Sequence, residues 1–152
     1  MNYNFPEIKH INEVLPAIDG SVEFVVVDKG DYKVINYVVM NDDTFPDIHG
    51  MHTLAGPVDP IMNAIRRECR GLIFDQNGVL INRRFHKFFN VNERPETALE
   101  KIDWSKPHYI LEKLDGSMVS PCKINGHIRW MTKMGITDTS MEAEYFVATH
   151  PE

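Results

Sequence analysis

The sequence predicts an α+β fold: antiparallel sheets with short helices outside them. Two observations point there. Runs of β-branched and apolar residues come in pairs, each pair joined by a Gly-containing turn, which is the signature of hairpins. Segments with helical spacing are short, at about Phe5–Ile18, Asp59–Glu68 and Ser140–Thr149. The chain of 152 residues is 43% hydrophobic and 25% charged, ordinary values for one globular domain over 1–152. A domain of this size buries roughly 70% of the surface its unfolded chain exposes.

Taken in order, Phe5, Ile8, Ile11, Val14, Leu15 and Ile18 recur near a helical period, and Pro16 is placed to shorten that helix. Val22–Val27 and Tyr32–Val39 flank Asp28-Lys29-Gly30-Asp31 and read as the first hairpin. Residues 41–60, broken by Pro46, Pro57 and Pro60, read as loop. His49 and His52 in that loop have no further Cys or His at ligand spacing and read as solvated histidines rather than a metal site. Asp59-Pro60 opens a short helix to about Glu68, because Asp caps well and Pro suits the first turn. Cys69–Asp75 and Val79–Phe85 pair across Gln76-Asn77-Gly78. His86–Glu93 continues with Phe88 and Phe89 alternating as in a strand, and Arg94-Pro95 opens a connector. Tyr109–Leu111 reads as a short apolar strand. Met118–Ile124 and His127–Lys133 form a last hairpin around Asn125-Gly126, and Ser140–Thr149 is weakly amphipathic.

Several classes are excluded or disfavoured. No apolar run is long enough to span a membrane, and Met1–Glu7 lacks the basic start and apolar core of a signal peptide. Cys69 and Cys122 stand far apart, which suits a reducing cytoplasm and no cysteine metal site. The net charge of −6 argues against a long nucleic-acid groove. Yet Arg66, Arg67, Arg70, Arg83, Arg84 and Lys87 crowd positive charge into the middle third, which suits a local phosphate pocket.

The chemistry centres on Glu112-Lys113-Leu114-Asp115-Gly116-Ser117. A lysine at the end of an apolar run, with Asp two and Gly three residues on, is the pattern of covalent nucleotidyltransferases. Alone it would equally describe a turn with a solvated lysine. Three further segments occur with it: Glu68-Cys69-Arg70-Gly71-Leu72-Ile73-Phe74, Lys87-Phe88-Phe89-Asn90 with Glu93, and Thr132-Lys133-Met134-Gly135. In this order and spacing, over about 32–140, the sequence resembles the T-even phage RNA ligase 1 family, in the N-terminal part of its adenylyltransferase domain.

The resemblance implies antiparallel sheets of the nucleotidyltransferase type and ATP-dependent RNA ligation. In that reaction a lysine is adenylylated, AMP passes to an RNA 5′-phosphate, and a 3′-hydroxyl seals the break. It implies Lys113 as nucleophile, Glu112 and the preceding strand framing the adenine, and Asp115 and Gly116 shaping the turn. Arg70 and Lys87 would contact the triphosphate, Phe89 would line the adenine pocket, and Lys133 would be a further cofactor-binding cation. Lys133 departs from the family pattern, which often sets its basic residue directly before the glycine, where this chain has Met134. The cofactors implied are ATP and Mg²⁺, with no metal-ligating residue assigned. The partners implied are RNA ends, including nicked tRNA, and no membrane; the location is the cytoplasm, the host's if the protein is phage-encoded. The family's later metal-binding and lysine motifs are not found before Glu152, so the fold is expected to be incomplete at its C-terminal side. A partner chain completing a split enzyme, or a non-catalytic nucleotide-binding module, are the alternatives.

General chemistry sets the same requirement. A lysine at its ordinary pKa is neutral in only about one part in 2,500 at pH 7, a handicap of ~4.6 kcal/mol for a nucleophile. Burial and neighbouring cations lower that handicap, and the basic middle third supplies the cations.

Overall fold

The computed structural model describes residues 5–41, 43–48, 52–53, 56–57 and 59–151. His49 lies outside the described residues, as does the side chain of His52. The fold is α+β with antiparallel sheets throughout.

The central sheet is built from β1 (Phe24–Asp28), β2 (Tyr32–Tyr37), β5 (Arg70–Asp75) and β6 (Leu80–Asn82), in the order β1-β2-β5-β6. Between β2 and β5 in the chain lies a small hairpin of β3 (His52–Thr53) and β4 (Gly56–Pro57), inside the stretch expected to be loop. The turns behave as their residues dictate. Asp28 accepts from the Gly30 N–H at 2.8 Å, and Asp75 accepts from the Val79 N–H at 2.8 Å. Gly78 at φ 86° packs its bare Cα against His10 and Ile11, leaving no room for a Cβ.

Alternation along the strands separates two cores. On one face Phe24, Ile35, Leu72 and Phe74 meet Ile11, Val14, Ala17, Ile18, Phe45 and Ile65. On the other, Tyr32, Val34 and Ile73 meet Cys122, Ile124 and Met131. The first face is covered by the N-terminal segment and by α2 (Pro60–Glu68). In the N-terminal segment the expected helix from Phe5 is reduced to one 3₁₀ turn and α1 (Leu15–Ile18), with Pro16 in its first turn. Asp59 caps α2 by accepting from the Ile61 and Met62 N–H groups. The second face is covered by the hairpin of β7 (Ser120–Ile124) and β8 (His127–Met131), whose Asn125-Gly126 turn has both residues at positive φ. Helix α3 (Asp138–Thr149), capped by Thr137, is held to β8 by Arg129 and Glu144 at 3.0 Å. Among the described residues no helix is long and apolar enough to cross a membrane.

Two expectations need correction. β6 stops at Asn82 rather than running to Phe85, and residues 83–90 carry no strand pairing, so Phe88 and Phe89 do not alternate in a ladder. More important, Tyr109–Leu111 is not a strand. Every residue from 103 to 118 is exposed, and Tyr109, Ile110, Leu111 and Leu114 are 77–92% accessible. Apolar content signals a strand, but a strand exists only with a ladder partner, and no described residue supplies one.

Candidate functional site

One end of the central sheet collects cations around aromatic rings. β2 ends there at Tyr37, β5 begins there at Arg70, and the irregular stretch after β6 brings up Lys87 and Phe89. That stretch is tied to α2 by the Lys87 N–H, which donates to the Arg67 carbonyl at 2.6 Å. Phe45, fully buried, stands edge-on to Tyr37 and Phe89, with centroids 5.2 and 6.4 Å away. The Lys87 ammonium lies 4.7 Å from the Phe89 ring centre and 5.9 Å from that of Phe45. The guanidinium carbons of Arg67 and Arg94 each lie 4.9 Å from the same Phe89 ring. Lys133 brings its ammonium to 4.5 Å from the Tyr37 ring. Electron-rich ring faces thus hold several like charges close together, which water alone would disperse.

The electrostatics follow from this crowding. Burial first, and then Arg70 and Arg94, push the Lys87 ammonium below its ordinary pKa, against the opposing pull of Glu93 and Tyr37. His86 is likewise lowered, by burial and then by Arg67, Arg83 and Arg70. Acids offset only part of the charge. Glu96 lies 2.7 Å from Arg67, as a charge contact without hydrogen-bond alignment, so both its oxygens and the Arg67 Nε remain without a hydrogen-bond partner. Glu68, its side chain wholly buried, takes Arg83 in two contacts of 2.6 and 2.8 Å.

A second basic residue group faces the other side of the sheet. Arg84 is 8% exposed and runs beneath Gly71, whose missing Cβ would meet Arg84 Cδ at 3.0 Å and the Lys133 backbone at 2.7 Å. Gly71 has φ 87°, so both its conformation and its contacts require glycine. Arg84 Nη1 donates to Ser120 Oγ, and Asn82 Nδ2 donates to the Pro121 carbonyl at 2.8 Å.

The structure therefore brings together Lys87, Phe89 and Lys133, with Arg70 close by: its guanidinium sits 5.2 Å over the exposed Phe88 ring and within electrostatic reach of Lys87. Phe89 packs against the core cluster under its three cations, while Phe88 faces solvent. The structure leaves out Glu112, Lys113, Asp115 and Gly116. All four stand on the exposed 103–118 segment, and none has a hydrogen bond or ion pair to a described residue. Gly116, at φ 126°, has open space where a Cβ would point, so its need for glycine is conformational. Tyr37, Phe45 and Arg94 were not marked as site residues by sequence reasoning, and Arg67 entered only as one of the cations of the basic middle third. The adjacent pair Arg83-Arg84 did carry a signal, since neighbours on an extended chain point to opposite faces and one of them had to turn inward.

Among the described residues no three His, Cys, Asp or Glu side chains come together to hold a metal ion, so no step is assigned to Mg²⁺. Cys69 and Cys122 are free and buried, and burial raises both thiols, so neither is a nucleophile.

The sheet end is thus cationic and lined by aromatic rings. Residues 68–150 match the RNA ligase family model of the T4 RNA ligase 1 type, and the chain belongs to that family. It is 29% identical over 133 residues, 87% of its own length, to a protein named "Putative RNA ligase" from Thermovibrio ammonificans. The match spans 30% of that relative's length.

Proposed function

We propose that the chain carries the first half-reaction of an ATP-dependent RNA ligase, with Lys113 as the group that becomes adenylylated. The observation that carries the reading is the gathering of Lys87, Phe89 and Lys133, with Arg70 nearby, at one sheet end in a member of an RNA ligase family. In the proposed step the neutral Lys113 amine attacks the α-phosphorus of ATP, a P–N bond forms, and the bond to the bridging oxygen breaks as pyrophosphate leaves. Cations set on rings and backbone ahead of time stabilise charge on the leaving group without reorganising during reaction. The gathering of Lys87, Arg70 and Lys133 at one sheet end supports that role for them. Phe89 offers an apolar surface to the base, and Gly116 gives the turn after Lys113 a conformation that other residues adopt at a cost. Transfer of AMP to an RNA 5′-phosphate, sealing by a 3′-hydroxyl, and nicked tRNA as the substrate belong to the same proposal, for the whole enzyme.

The test is incubation with Mg²⁺ and ATP labelled at the α-phosphate, beside Lys113→Ala. A mass gain of one AMP that disappears in the variant is expected. ATP bound reversibly with no adduct on the intact chain would instead mark a nucleotide-binding module without turnover.

A second reading is favoured by one observation, the solvent-facing row of Tyr109, Ile110, Leu111 and Leu114. In it, further polypeptide pairs with this segment and seats Lys113, so that the adduct forms only when that polypeptide is present. Its mark would be an adduct that appears on adding the remainder of a full-length ligase and not before.

A further inference from the structure

We propose that Arg84 is a phosphate-binding residue of this site, its Nε and Nη2 forming a fork for two oxygens of one phosphate group while Nη1 stays on Ser120. Four observations carry this. Arg84 is a buried cation, and no described carboxylate lies within ion-pair distance of it. Its Nε and Nη2 have no hydrogen-bond partner. Those two nitrogens are the same edge of the guanidinium, the one that meets a phosphate or carboxylate with two parallel hydrogen bonds. A native structure rarely leaves such a complete edge unfilled, and a buried guanidinium without a counter-charge is costly to keep.

The surroundings select the ligand. Arg84 lies beneath Gly71, next in sequence to Arg70, and the Lys133 backbone approaches the same glycine. A neutral ligand would leave this charge uncompensated. A phosphate offers two oxygens to the two free nitrogens and supplies the counter-charge that Arg84 lacks among the described residues. Burial also lowers the Arg84 pKa, opposed by the nearby Cys122. The neighbour on Nη1 matters too. Ser120 opens β7 two residues after the exposed segment that bears Lys113, so an anion on the free edge of Arg84 would fix the point near which that segment departs.

The inference rests on the ligase reading for its choice of ligand, and the shared chemistry is a phosphate oxyanion. Two sources supply it, the polyphosphate of a nucleoside triphosphate and the 5′-phosphate of RNA. Calorimetric titrations of the protein, Arg84→Gln and Arg84→Lys with tripolyphosphate and with 5′-phosphorylated and 5′-hydroxyl oligoribonucleotides separate them. Loss of the charged fork should weaken the phosphate-bearing probe roughly tenfold to a hundredfold. Arg84→Lys, which keeps the charge but not the fork, should recover only part of it. A loss confined to tripolyphosphate assigns the nucleotide; a loss confined to 5′-phosphorylated RNA assigns the RNA end. Equal affinities in all three proteins overturn the proposal, as does failure of the unaltered protein to bind either phosphate probe.

Should Arg84→Gln not fold, the proton–nitrogen resonance of Arg84 Nε in the unaltered protein, identified by its absence in Arg84→Lys, gives the answer. It should shift on adding tripolyphosphate or the 5′-phosphorylated RNA. A resonance that neither probe moves, or one that Asp115→Asn moves without any phosphate, overturns the proposal, the latter by assigning the fork to the chain's own carboxylate. The ligase reading fails separately: if phosphate binds through Arg84 but no lysyl adduct forms with ATP, Arg84 stands and adenylylation does not.

Discussion

The two halves of the candidate site are built in opposite ways. The cationic half, around Arg70, Arg84, Lys87, Phe89 and Lys133, is welded to the sheet: cations rest on rings, the Lys87 N–H is tied to α2, and Gly71 lets Lys133 and Arg84 close over β5. The half that bears Lys113 has no ladder and no core contact among the described residues, and contacts such as that of Lys106 with Asp103 are local. A ligand site can be pre-formed where charge must be concentrated, because like charges do not assemble on demand. The gathering of positive charge is therefore stored in the fold, while the lysine proposed to react stands on a segment outside it.

The largest effects should sharpen that contrast in stability. Phe74→Ala, which empties a side chain fully buried in the first core, should cost about 3–5 kcal/mol in urea denaturation. Leu111→Ala removes an apolar side chain of similar chemistry that is 81% exposed, and should change stability by less than about 0.5 kcal/mol. A Leu111→Ala deficit comparable to that of Phe74→Ala would break the comparison, because the segment would then be packed in solution.

What the sequence disclosed follows the same division. Local chemistry was legible: Asn77-Gly78 and Asn125-Gly126 each close a hairpin, and Asp59-Pro60 starts α2, because caps and turns depend on residues within a few positions. Pairing was not. Tyr109–Leu111 has the composition of a strand, but no described partner lies beside it. β6 ends early for the same reason, with Arg83 turning to Glu68 and Arg84 to Ser120 instead of both continuing a ladder. The convergence of Lys87 with Tyr37 and Phe45 also escaped sequence reasoning, since Phe45 sits in a loop and its burial is decided by α2 and the sheet.

A smaller effect tests whether the basic end needs its acids. Glu68 is buried, and desolvation, resisted by Arg83, holds its carboxyl above the ordinary range. Arg83→Met leaves that carboxylate unpaired and should cost about 3 kcal/mol at neutral pH. The sign with pH is set by linkage. Without Arg83 the folded-state pKa rises further, so the deficit is largest where Glu68 is charged and shrinks as acid protonates it. A deficit that grows on acidification would show that the pair is not what secures Glu68.

The smallest effect reads the crowding of charge directly. His86 is lowered by burial first and then by Arg67, Arg83 and Arg70, so the folded state takes up its proton less readily than the unfolded chain. Its contribution to stability is therefore complete above the unfolded value near 6.5 and is lost as pH falls through the lower folded value. Glu13 and Glu23, whose pKa values are depressed by hydrogen bonds, act in a separate and more acidic window. His86→Gln should flatten the melting profile between about pH 7 and 5, by about one to two degrees in Tm. Tripolyphosphate should act in the same direction on the unaltered protein, because an anion among the arginines weakens the repulsion that depresses His86. If the histidine responds to substitution but not to the anion, its shift comes from burial alone, and the positive charge around it is already balanced within the fold.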